Sequence, residues 1–62
     1  MLIKELVYNN VIIRLFDNGI VAIFTIKNKR HIVPEISVGD IPIINELMKD
    51  LVEEFVNWKR KQ

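Results

Sequence analysis

The alternation of apolar and polar residues changes period once along this chain. From residue 41 onward the apolar residues Ile41, Ile44, Met48, Leu51, Phe55 and Trp58 recur at alternating intervals of three and four. With 3.6 residues per turn, that spacing keeps side chains on one stripe of an α-helix. Ile43, Leu47, Val52 and Val56 broaden the stripe, while Asn45, Glu46, Lys49, Asp50, Glu53, Asn57 and Lys61 fall opposite it. The pattern predicts an amphipathic helix over 41–60. Asp40 is the expected cap, Pro42 falls in the first turn where its missing N–H costs nothing, and Lys59, Arg60 and Lys61 place cations at the negative end of the dipole.

Upstream, short β-forming runs alternate with turn residues. Strands are predicted over 2–8, 11–17, 20–27 and 31–38, separated by Asn9-Asn10, Asp17-Asn18-Gly19 and Asn28-Lys29-Arg30. Asn-Gly is the strongest short hairpin signal, and asparagine tolerates positive φ better than most residues. Pro34 cannot donate to a ladder, so the fourth strand must lie at an edge or break there. The predicted fold is α+β: a four-stranded antiparallel meander followed by one long C-terminal helix (ββββα), in two layers, as a single domain over 1–62.

Two-residue turns at Asn9-Asn10 and Asn18-Gly19 sort the strands by face. One face collects Leu6, Tyr8, Val11, Ile13, Leu15, Ile20, Ala22, Phe24 and Ile26 and is expected to carry the helix. The other mixes Ile3, Val7, Ile12, Phe16, Val21 and Ile23 with a Glu5–Arg14 cross-strand pair. Large apolar groups on an outward face point to a partner. A helix of twenty residues spans about 30 Å, whereas four strands give a sheet under about 20 Å wide. The end of the helix is therefore expected to overhang, and Met48, Leu51, Phe55 and Trp58 to form the interface of a homodimer.

Composition narrows the chemistry. A chain of 62 residues has a marginal core. Without cysteine it has neither disulfides nor thiolate metal sites, which leaves oligomerisation as its reinforcement. Nine basic and eight acidic residues give a net charge of +1, so any nucleic-acid site must be local. The longest apolar run, Ile20 to Phe24, is far short of a membrane span, and the N-terminal residues do not read as a signal peptide. The reading is a soluble protein of the cytoplasm or, if virus-encoded, of the host-cell interior.

Candidate catalytic groups are few. Ser37, Thr25 and Tyr8 carry the hydroxyls and His31 is the single histidine; beside Lys29 and Arg30 it reads as a solvated turn residue rather than a base. Gly19 and Gly39 stand apart, so there is no phosphate loop. The acidic residues of the helix read as a solvated, ion-paired face. No catalytic residue, metal site or cofactor is expected, and the chain is read as a non-enzyme.

Lys27, Lys29, Arg30 and His31 form the one basic cluster. A solvated hairpin tip is its plainest explanation. Joined to Arg14 and Phe16 on a sheet face, however, it has the components of a single-strand platform, with Phe16 stacking on a base and Arg14, Lys27, Lys29 and Arg30 following phosphates.

The ββββα order, with Glu35-Ile36-Ser37-Val38 leading into the helix from Asp40 to Leu51, resembles the single-stranded-DNA-binding coactivators of the positive-cofactor-four type and the related purine-rich-element-binding repeats. The resemblance implies a curved sheet, dimerisation and binding of single strands on the sheets. In this chain the strands are shorter, the turns tighter, and the sheet less basic and less aromatic than in those families. Two function classes follow: first, and preferred, a dimeric module for single-stranded nucleic acid, favoured by topology; as the alternative, a protein-interaction module such as a viral, phage or prokaryotic accessory factor, favoured by the near-neutral charge.

Overall fold

A computed structural model describes all 62 residues. Strands β1 (Leu2–Tyr8), β2 (Val11–Phe16), β3 (Val21–Lys27) and β4 (Arg30–Ile32) form one antiparallel sheet in the order β1-β2-β3-β4. A 3₁₀ turn over Val38–Asp40 leads into α1 (Ile41–Arg60). This is the ββββα arrangement read from the sequence. The fourth strand is shorter than the expected 31–38: it begins at Arg30 and stops before Val33 and Pro34, where the ladder would lose a donor.

Each hairpin has its own turn chemistry. Tyr8 pairs with Val11 across Asn9-Asn10, with Asn9 at φ 52°. Lys27 pairs with Arg30 across Asn28-Lys29, both at positive φ as a type I′ turn requires, so Arg30 belongs to the strand rather than the turn.

The middle hairpin corrects the expected register. Its loop has three residues rather than two. The N–H of Gly19 donates to the Phe16 carbonyl, the N–H of Phe16 donates to the Ile20 carbonyl, and Gly19 lies at φ 84°. This is a turn completed by a left-handed glycine, the alternative use of an Asn-Gly signal. One residue of slip exchanges the faces of β3: Leu15 pairs with Val21, Ile13 with Ile23, Arg14 with Ala22 and Ile12 with Phe24. Val21 and Ile23 therefore share the helix-bearing face with Leu15 and Ile13, and Ala22, Phe24 and Ile26 turn outward. A bulge between Leu2 and Lys4 pairs Leu2, rather than Ile3, with Phe16, and Ile3 packs against the core.

The helix runs along β1 and β2 rather than across the sheet. At its start the Tyr8 hydroxyl meets the Asp40 carboxylate at 3.1 Å, and farther on Glu54 approaches Lys4 at 3.6 Å. Near its end the Phe55 ring lies above Gly19. Between helix and sheet Val11, Ile13, Leu15, Ile44 and Leu51 are buried, with Leu6, Leu47, Met48 and Phe55 closing around them. Asp40 sits at the cap position without capping through its side chain. Its two carboxylate oxygens instead accept from Tyr8 and from the Ser37 hydroxyl at 2.9 Å.

Because the helix runs along the strands, the width of the sheet does not fix an overhang, and one of the four residues expected at a homodimer interface moves to the core. Leu51 is 1% exposed within the single chain and is core rather than interface. Met48 and Phe55 pack against that core. Trp58 is half-buried, stacked on Phe55 at 6.1 Å with an interplanar angle of 20°.

Candidate protein-binding surface

The face away from the helix carries a chain of side-chain contacts that crosses all four strands. Glu5 on β1 and Arg14 on β2 are directly opposed, and Arg14 Nε donates to Glu5 Oε1 at 2.6 Å. The Arg14 guanidinium carbon lies 5.0 Å from the centroid of Phe24 on β3. Phe24 in turn meets the ring of His31 on β4 edge to face, with centroids 4.8 Å apart. The middle contact exists only because the three-residue loop turns Phe24 outward.

Each contact is modest. An exposed ion pair contributes no more than about 1 kcal/mol, and a cation over an aromatic ring adds about 0.5–1 kcal/mol at an exposed site. Their joint effect is to hold Arg14 in one place, with its Nε occupied and its terminal Nη groups directed to no acceptor within the chain. Around this strip lie Val7, 62% exposed, Ile26, 51% exposed, and the half-buried Ile12 and Phe16. The surface is apolar with one oriented donor group at its centre.

The residues expected to hold nucleic acid do not converge. Arg14 and Phe16 are on this outer face, whereas the register puts Lys27 and Arg30 on the opposite one, beside Thr25 and Ile32. Lys29 is at the tip of the β3–β4 turn, and Phe16 adjoins the β2–β3 loop at the other end of the sheet. Lys27, Lys29 and Arg30 make no ion pair and crowd one end of the sheet beside His31. Sequence reasoning missed Phe24 and His31 as members of the outer strip, because both depend on the register of β3.

The remaining polar groups have local roles. Ser37 is bound to Asp40, while Thr25 and His31 lie on opposite faces, so these hydroxyls and the imidazole do not form one constellation. Desolvation first, and the adjoining Asp40 carboxylate second, hold the Tyr8 phenol above its ordinary pKa. A hydrogen bond from the Met1 ammonium group, 2.9 Å away, holds the Asp17 carboxyl below its ordinary pKa. No cluster of three or more histidine or carboxylate side chains is arranged to hold a metal ion, and no helix is long and apolar enough to cross a membrane.

Comparison with protein-family models, with curated proteins and with solved structures found no match to this chain. Its functional reading therefore rests on its own residues.

Proposed function

We propose that this chain is a small, non-enzymatic protein-interaction module of the cell interior that binds its partner on the outer sheet face. The observation that carries this reading is the contact chain Glu5–Arg14–Phe24–His31 set among exposed Val7 and Ile26. An apolar surface around a held, desolvatable arginine has the composition of an interaction hot spot, where aromatic and arginine anchors supply most of the binding energy. The matching partner surface presents apolar side chains to Val7, Ile12 and Ile26 and a carboxylate or carbonyl oxygen to the Arg14 Nη groups.

A second reading, single-stranded nucleic acid, is favoured by one observation, the unpaired cations Lys27, Lys29 and Arg30 at one end of the sheet. It also keeps the topological resemblance to the positive-cofactor-four type in play. Against it stands the separation of Phe16 from the basic end.

Two measurements separate the readings. A photo-crosslinking residue placed at Val7 is expected to capture a discrete protein in cells, and Arg14→Ala to abolish that capture. A labelled single-stranded oligonucleotide titrated at low and moderate salt is expected to show no salt-sensitive binding. Salt-sensitive binding weakened by Lys29→Ala and Arg30→Ala would overturn the protein reading in favour of the nucleic-acid one.

A further inference from the structure

The molecule is too open for its mass. A compact protein of 7.3 kDa exposes about 4,200 Å² by the usual scaling of surface with mass. This chain exposes 4854 Å², roughly 700 Å² more than that scaling gives. The radius of gyration agrees: it is 12.4 Å, against about 10.6 Å for a compact domain of this length. A standard protein interface removes about 800 Å² from each partner. The surplus is thus close to one side of one interface.

The missing cover can be located. On the helix-bearing face, Val11, Ile13 and Leu15 of β2 are at most 7% exposed, but Ile23 of β3 is 38% and Ile32 of β4 is 39% exposed. The helix covers β1 and β2 and leaves β3 and β4 beside it. Between helix and β3 runs an apolar groove of roughly 110 Å³, bordered by Leu15, Gly19, Val21, Met48, Val52 and Phe55 and free of charged side chains. The flank of the helix above the groove continues the apolar surface: Val52 is 63%, Ile41 45% and Val56 42% exposed. The apolar arc of α1 is wider than its own sheet can cover.

From this we infer that the groove between α1 and β3 is the interface of a two-fold dimer, occupied by the Val52–Val56 flank of a second copy of the chain. The surface is self-complementary, since each copy carries both an apolar ridge, Val52 with Val56, and the partly covered strip, Val21 with Ile23, that such a ridge covers. One two-fold operation buries both sets twice, as a closed isologous contact does. With the two helices antiparallel and crossing at Val52, Met48 of one copy meets Val56 of the other, and no like charges are opposed along this row. The free edge of β1 is a poorer route to a dimer. An antiparallel, face-preserving pairing centred on Glu5, the middle of the strand, opposes Glu5 to Glu5, and the Leu2–Lys4 bulge distorts the edge. This dimer leaves the outer sheet face free and does not depend on the function proposed for it.

Two valines of equal exposure on opposite sides of the molecule make the test. Val52 lies on the groove and is 63% exposed, Val7 on the outer face and 62% exposed. By light scattering across a concentration series up to about 100 μM, the wild-type chain is expected to reach twice its 7.3 kDa mass. Val52→Glu is expected to raise the dimer dissociation constant by about a hundredfold or more, because each copy would bury a carboxylate against apolar side chains. Val7→Glu is expected to leave it unchanged. Circular dichroism of Val52→Glu, a substitution at a solvent-exposed position, checks that the fold survives. The chain has no cysteine of its own, so Val52→Cys is expected to form a covalent dimer on mild oxidation and Val7→Cys is not. A wild-type chain that stays single throughout the series, or a dimer lost in Val7→Glu and kept in Val52→Glu, would overturn the inference.

Discussion

The two halves of the sheet are built from similar residues and meet different fates. Under the helix, β2 alternates buried and half-buried positions without exception, and its inward residues are at most 7% exposed. One strand farther on, β3 offers Val21 and Ile23 to the same side, and Ile23 remains 38% exposed. Hydrophobicity does not separate the strands; position relative to α1 does. A helix about 10–12 Å in diameter covers about two strands spaced at about 4.8 Å, and a four-stranded sheet with one helix leaves about half of one face without cover. Stability therefore resides in the β1–β2–α1 half, and the β3–β4 half presents surface.

A cavity in the covered half costs the most. Ile13 is fully buried, so Ile13→Ala is expected to cost about 3 kcal/mol or more, against under about 1 kcal/mol for Ile23→Ala. For a domain whose total stability is a few kcal/mol, the first change leaves much of the chain unfolded at 25 °C. Urea denaturation of both variants in a Val52→Glu background keeps self-association from compensating either loss. Equal costs would mean that β3 is as well covered as β2 and that the two halves do not differ.

The sequence carried the element order, the helix and its face, and the first hairpin in usable form, because each rests on a local period or on asparagines at a turn; of the third hairpin it carried the turn but not the pairing of Arg30 with Lys27. It did not carry the register of β3. Asp17-Asn18-Gly19 supports a two-residue loop with Asn18-Gly19 at its centre or a three-residue loop with a left-handed Gly19, and the local residues suit both. Packing decides between them: the observed register places Val21 beside Leu15 at the core, and Phe55 closes over Gly19. The outer strip was legible only as far as Glu5 and Arg14, whose pairing follows from the first turn alone. Phe24 and His31 joined it through that packing choice.

Gly19 thus sits where the register that divides the two halves is set, and replacing it costs less than the cavity. A Cβ at Gly19 would lie 3.6 Å from the Phe55 ring, an ordinary contact, so the cost of Gly19→Ala comes from its φ of 84° rather than from crowding. About 1 kcal/mol of lost stability is expected, with the Phe24–His31 contact preserved as judged by ring-current shifts of the His31 protons in NMR spectra. Loss of those shifts would show that the glycine selects the register as well as easing it.

The smallest effect concerns the join between the covered half and the start of the helix. Tyr8 donates to Asp40 there, and its phenol is held above the ordinary value by desolvation and by that carboxylate. A group whose pKa is raised on folding stabilises the fold while it remains protonated. Its contribution is complete below the unfolded phenol pKa of about 10 and is lost as pH rises through the higher folded value. The wild-type chain should therefore lose stability on the alkaline side as Tyr8 ionises beside Asp40. Tyr8→Phe is expected to be slightly less stable at pH 7, where the hydrogen bond is missing, and to show a shallower decline above pH 10. The informative quantity is the difference between their urea midpoints at the two pH values. A constant difference would mean that the Tyr8–Asp40 contact does not couple the helix start to the sheet, leaving apolar burial alone to hold α1 over β1 and β2.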